Sequence, residues 1–196
     1  MKQRPFTIVF TVAVTAAFVA PISLAYLLTK PMVSLNEEVF LKRSVLAAAG
    51  IAVPPRKEDV VSAFASRVEE VKGTGGAPPY YRVKAASGEL AGYVFLRSGP
   101  GLWGEITAAV GFEENLERLT GVDFLKQSET PGLGARIAET WFREQFRGKK
   151  GPFATVPEGE SAGETQFDAI TGATLTSNYV KDILNDTMAR AKGLVK

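Results

Sequence analysis

The chain has 196 residues, a formal net charge of +2, 45% hydrophobic and 22% charged residues. That is the balance of a globular domain with an appendage, and it argues against wholesale disorder and against a nucleic-acid binder. Cysteine and histidine are both absent, which excludes disulfides, thiolate catalysis and iron–sulfur ligation and removes the commonest metal ligands and the usual general base near neutral pH.

The first element is an apolar segment. Phe6 to Leu28 carries no charge, with Lys2 and Arg4 before it and Lys30 after it. At 1.5 Å per residue it reaches about 34 Å, enough for a bilayer core. A cleaved leader would have a shorter apolar run, and "LLTKP" is a poor cleavage site, so the segment reads as an anchor kinked at Pro21. Its basic flank predicts a cytoplasmic N-terminus with the rest of the chain outside. Residues 1–30 hold three basic side chains and no acid, which leaves 20 basic and 21 acidic in the remainder. The soluble part has no bulk attraction to anionic lipid.

Ser34 and Glu37 form a capping box that predicts a new helix ending at Gly50. A second helix is expected over Glu58–Val71, with Val61, Phe64 and Val68 on one face. "KGTGGAPP" reads as a loop. "YYRVKAA" and "LAGYVFLR" read as strands joined by a hairpin at "SGE". "SGPGLWG" (Ser98–Gly104) is a glycine-punctuated turn. "EITAAVGF" and "LERLTGVDFLKQ" read as two more strands. "SETPGLGARI" (Ser128–Ile137) is a second glycine-rich loop, followed by a short helix and an irregular stretch over "RGKKGPFATVPEGESAGE". "NYVKDILNDTMARAKG" is the last helix, with Val180, Ile183, Leu184 and Met188 on one stripe. The order has no βαβ alternation, which predicts an α+β fold with a mainly antiparallel sheet and flanking helices. The expected organisation is an N-terminal segment with the anchor (1–30), a helical connector (31–79) and one folded domain (80–196).

"TGATLTSN" sets Thr171, Thr174, Thr176 and Ser177 at the start of the last helix. Two readings compete. In one, Thr174 or Thr176 caps the helix, Gly172 turns the chain and the other hydroxyls are solvated. In the other, the site holds a phosphate. Free N–H groups and the positive dipole end favour an anion there, Gly172 and Ala173 leave the backbone accessible, and the hydroxyls can bond phosphate oxygens or be esterified. No lysine lies within the motif, so it is not a nucleotide-binding P-loop.

"DAITGATLTS" (Asp168–Ser177) resembles the flavinylation motif of the FMN-binding domain family. That family includes the C-type subunit of the sodium-translocating NADH:quinone reductase and the G-type subunit of the Rnf complex. The anchor, the strands, "SETPGLGA" and the last helix follow in the same order, so the resemblance covers most of the chain. It implies FMN bound covalently through a phosphoester to Thr176, attached by a separate flavin transferase that takes the FMN moiety from FAD with magnesium as helper. By the same resemblance Asp168, Gly172, Ala173 and Thr174 match positions that the transferase reads or that shape the phosphate turn, with Thr171 and Ser177 as supporting hydroxyls and Leu175 counted among the cofactor-binding residues. Glu129, Thr130, Pro131, Gly132, Leu133 and Gly134 match the second motif, close to the flavin. Two glycines and Leu133 suit a planar ring; read alone, the loop is an ordinary Pro-Gly turn. Trp103 is a candidate to stack on the ring, the alternative being core packing, and Trp141 reads as core.

The resemblance implies an electron-carrying subunit of a membrane ion-translocating oxidoreductase complex, with no catalytic turnover alone and no metal site. Its expected partners are the other membrane subunits, the flavin transferase and the lipid bilayer, with no nucleic acid. Its expected place is the bacterial inner (cytoplasmic) membrane, single-pass. The alternatives are an anchored scaffold without flavin and a flavin-domain protein serving another membrane reductase.

Overall fold

The computed structural model describes residues 3–73 and 78–195. The chain divides into two compact units, Met1–Val39 and Phe40–Lys196. Helix α1 runs from Gln3 to Ala48 with Pro21 and Pro31 inside it. It is long and apolar enough to cross a membrane, with no residue of its most apolar window buried. Hydroxyls in it are satisfied locally: Thr11 donates to the Thr7 carbonyl at 2.8 Å and Thr29 to Ala25 at 2.9 Å. The helix expected to begin at Ser34 is therefore a continuation of α1, and Ser34 donates to the Pro31 carbonyl instead of capping. A proline breaks a helix in water by freeing a carbonyl, a cost that long apolar helices absorb. Gly50 does end α1, as predicted. At φ +73° it closes a Schellman motif, with Gly50 N–H on the Ala47 carbonyl and Ile51 N–H on Leu46.

In the second unit, α2 (Lys57–Arg67) is shorter than expected. It buries Val60 and leaves Val61 exposed, so its apolar face is turned from the predicted one. Val68–Val71 is a strand, β1, pairing with Tyr80–Val83. It opens a five-stranded antiparallel meander with β2 (Tyr80–Lys84), β3 (Leu90–Pro100), β4 (Glu105–Glu113) and β5 (Leu119–Lys126), in sequential order. The sheet is covered on both faces, which explains why β4 and β5 read as near-continuous apolar runs. On one face, Gly111 and Gly121 pair across β4–β5. A Cβ on Gly111 would meet the Ala48 carbonyl oxygen at 2.0 Å, so the end of α1 is seated in a dent that only glycine leaves. Phe64 of α2 meets Tyr81 edge-on at 5.9 Å on that face.

The other face carries Tyr80, Tyr93, Phe95, Val110 and Phe112, packed in one cluster with Val180 and Leu184 of α4 (Thr174–Leu194). A 3₁₀ turn (Gly134–Ala138) and α3 (Thr140–Glu144) follow β5. Phe142 and Phe146 meet Phe167 at 5.8 and 4.8 Å, and Phe153 meets Phe146 at 5.7 Å. These rings bring in the stretch expected to be irregular, because Phe153 and Phe167 flank or lie in β6 (Ala154–Val156) and β7 (Gln166–Asp168), a small parallel pair. β7 leads directly into α4, so the core fixes where the hydroxyl-rich turn stands. The architecture is the expected α+β fold with an antiparallel sheet, to which this parallel pair is an addition.

Candidate functional site

Three segments meet at one carboxylate. The first is the turn after β3, closed by Gly101 N–H on the Gly104 carbonyl at 2.7 Å. The second is the loop after β5, where Leu133 and Ala135 both donate to the Thr130 carbonyl. The third is the start of α4. Glu129 is 5% exposed. Its Oε1 accepts the backbone N–H groups of Leu102 at 2.8 Å and Trp103 at 3.2 Å, and its Oε2 accepts the Thr176 hydroxyl at 2.6 Å. The two glycine-rich loops and the hydroxyl motif, distant in sequence, thus share one acceptor. Two glycines make room for it. A Cβ on Gly101 would meet Glu129 Oε1 at 2.6 Å, and one on Gly134 would meet Thr176 Oγ1 at 2.6 Å.

The four hydroxyls have separate surroundings. α4 begins at Thr174 with Ala173 at its N-cap and no side-chain cap. Neither Thr174 nor Thr176 caps the helix, which removes that explanation of the motif: both lie in the first turn rather than before it. Ser177 is fully buried and structural. Its oxygen accepts the Ile170 N–H at 3.0 Å and donates to the Ala173 carbonyl at 3.1 Å, locking the turn between β7 and α4. Gly172 bends that turn at φ +78°. Thr171 and Thr174 are exposed. Thr176 is 1% exposed, turned to Glu129.

A cavity of about 290 Å³ lies over this contact. It is lined by Leu102, Glu129, Thr130, Leu133 and Gly134 from the two loops and by Gly172, Ala173, Thr174, Leu175 and Thr176. No lysine or arginine is among them. A neighbouring cavity of about 380 Å³ lies across Gly172 and Thr174 and includes Thr171 and Glu158. Pro131, Gly132, Trp103, Ser177 and Asp168 line neither cavity. Trp103 is 69% exposed, so core packing is not its role. Trp141 is half-buried against the core, with Arg136 over its ring at 5.1 Å. Among the described residues beyond α1, six large apolar side chains are exposed, and four of them, Leu102, Trp103, Leu133 and Leu175, belong to the segments at this site. Scattered apolar exposure is ordinary; three of these four line the one cavity, and a concentration of that kind is what a binding surface presents.

Asp168 acts at the base of the turn. Its carboxylate accepts the Ser161 N–H at 2.7 Å, and its own N–H donates to Gln145. Partial burial opposes its charge. The Ser161 and Gly159 hydrogen bonds and the Lys149 charge outweigh that, so it titrates below the usual range. Glu158, which no sequence motif singles out, accepts the Thr171 N–H at 2.9 Å and an Arg136 N–H at 3.3 Å. The Thr171 hydrogen bond, then Arg136, holds its carboxyl below the ordinary range. This is a second tie between the two motif segments. Leu102, which no sequence motif singles out either, adjoins Trp103 in the same turn and lines the cavity.

Residues 101–189 match the model of the FMN-binding domain. Along 95% of its length the chain is 31% identical to the G-type subunit of the ion-translocating oxidoreductase complex of Methanosarcina acetivorans, covering 94% of that protein. The chain belongs to the FMN-binding domain family. It is 36% identical over half its length to the C-type subunit of the Na(+)-translocating NADH-quinone reductase of Chlamydia caviae. It is 34% identical over 57% of its length to the G-type subunit of the Na(+)-translocating ferredoxin:NAD(+) oxidoreductase complex of Acetobacterium woodii. It spans only 38% and 54% of those two proteins. Its fold matches the crystal structure of the C-type subunit of the Na(+)-translocating NADH-quinone reductase from Parabacteroides distasonis with a TM-score of 0.70, at 24% identity over 85% of this chain and 97% of that one.

The cavity residues of this FMN-binding domain fit a flavin mononucleotide by chemistry. An uncapped helix start with Gly172 beside it offers N–H donors to a phosphate, and Leu102, Leu133 and Leu175 of the lining offer apolar surface to a flat ring, with the exposed Trp103 next to Leu102 in the chain but outside the lining.

Proposed function

We propose that this protein is the membrane-anchored, electron-carrying subunit of an ion-translocating oxidoreductase complex, with FMN held as a phosphoester on Thr176. The observation that carries the reading is the Thr176 hydroxyl itself: it lines the cavity at an uncapped helix start and is fixed by a buried acceptor from the second glycine-rich loop. Bound FMN supplies electron transfer. The chain's own residues anchor the phosphate end, cover one side of the site with apolar side chains and keep water from the attachment point. A covalent tether keeps the carrier loaded through changes of redox state.

The match to the relative from Methanosarcina acetivorans runs along 95% of this chain, against half of it for the C-type relative from Chlamydia caviae, which favours the G-type subunit. Other membrane subunits of such a complex, a flavin transferase and the bilayer are the expected partners. Lys2 and Arg4 favour a cytoplasmic N-terminus, with the folded domain on the far side of a single span in the cytoplasmic membrane. Phe6–Leu28 carries no charge, so an ion path belongs to partner subunits.

The full chain, produced with a threonine-specific flavin transferase and FAD, should gain the mass of one esterified FMN and fluoresce as flavin on a denaturing gel. Thr176→Ala should lose both. A wild-type chain that remains unlabelled, or a label that survives in Thr176→Ala, overturns the assignment.

A further inference from the structure

The contact between Glu129 and Thr176 has a chemical direction. The hydroxyl donates and Oε2 accepts at 2.6 Å, while Oε1 is already engaged by two backbone N–H groups. Oε1 is thereby held in the role of a carbonyl oxygen, and Oε2 is the atom left to exchange a proton. Both residues are almost fully buried, so water does not compete as acceptor. Among the described residues, no cationic side chain lines the cavity.

Esterification removes the proton of this contact. It would also set a phosphodiester anion within hydrogen-bond reach of a buried carboxylate. Two anions so close, with no cation and little water, cannot both stay charged without a large penalty; pairs of this kind retain one shared proton. We propose that Glu129 takes the Thr176 hydroxyl proton as the phosphoester forms and keeps it, remaining a neutral carboxylic acid beside the attached phosphate. The inference rests on the reading that Thr176 carries FMN. With a flavin dinucleotide as co-reactant, Thr176 Oγ1 forms a bond to the FMN-side phosphorus. The pyrophosphate P–O bond breaks, its electron pair leaves with AMP, and the hydroxyl proton goes to Glu129 Oε2. No group is oxidised or reduced. Glu129 is thus a catalytic residue of the chain's own modification and, afterwards, a hydrogen-bond donor to what it helped attach.

The test follows flavin incorporation into the full chain by intact mass, with AMP release measured in parallel, for wild type, Glu129→Gln and Glu129→Asp. Glu129→Gln keeps an acceptor for Leu102 and Trp103 but takes no proton. Its incorporation rate should fall about 100-fold or more, the usual reach of a general base, while Glu129→Asp keeps partial activity. Infrared difference spectra of wild type before and after loading should gain one buried, protonated carboxyl band, a signal that a purely structural Glu129 would not give and that needs no variant to fold. Incorporation into Glu129→Gln at the wild-type rate, or a loaded wild type with no new carboxyl band, overturns the proposal. An unlabelled wild type overturns the attachment reading itself, and the two failures are thereby told apart.

Discussion

Gly134→Ala places one methyl group between the two residues that define the site. The added Cβ would lie 2.6 Å from Thr176 Oγ1, 2.8 Å from Glu129 Oε2 and 2.9 Å from Glu129 Cβ. Neither neighbour is the loose end of a flexible side chain: Glu129 is held by three hydrogen bonds and Thr176 is fixed in the first turn of α4. The φ of Gly134 is not in the left-handed region, so the cost is one of space rather than of backbone strain. Overpacking of this kind costs about 1–3 kcal/mol. For a folded unit running from Phe40 to Lys196, each kcal/mol lowers the melting temperature by about 2–4 °C. The expected fall is about 2–12 °C, read from the near-ultraviolet signal of the aromatic core in the full, detergent-solubilised chain. Flavin incorporation should fall with it, because the methyl group separates the hydroxyl from its acceptor. Gly193→Ala is the control. It is helical, with open space around it, and should leave the melting temperature unchanged or raise it. If Gly134→Ala melts with the wild type and accepts flavin at the same rate, the reasoning about this contact is wrong.

Ser177→Ala should cost about 1–3 kcal/mol of stability, because it strands the buried Ile170 N–H, yet leave flavin attachment at Thr176 intact; chemical denaturation and intact mass measure the two effects separately. Asp168→Asn addresses the turn electrostatically. A carboxyl whose folded pKa is depressed stabilises above its unfolded value, about 4, and the benefit disappears as pH falls through the lower folded value. Melting curves of Asp168→Asn and wild type should therefore be separated at neutral pH and converge below about pH 4; a gap that is constant across that range contradicts the assigned role.

The long apolar N-terminal helix, the α+β class, four of the five strands of the main sheet and the last helix were legible in the sequence, because each rests on an apolar run, an apolar period or a turn signal. The same signals misread Val68–Val71 as helix. Val68 continues the spacing of Phe64, and only pairing with Tyr80–Val83, which local pattern does not encode, pulls the segment into the sheet. Pro31 and the Ser34 box read as a boundary because those rules describe helices in water. β6 and β7 are three residues each, too short for periodicity, and are set by Phe153 and Phe167 joining the Phe142–Phe146 cluster. At the site, the motif residues were visible but their division of labour was not. That Ser177 serves the turn, and that Thr176 turns to Glu129, depends on which side of the helix faces a loop 47 positions earlier.

That separation has a temporal side. The meander pairs each strand with the one just made, so its contacts are local and quick to form. The Glu129–Thr176 contact spans 47 residues and requires the last helix to be docked against the sheet. Without that docking the threonine has no acceptor beside it, so the hydroxyl is oriented only in the assembled domain. On the proposed attachment at Thr176, loading with cofactor would then record that the domain has assembled, at the point where its sheet and its last helix must agree.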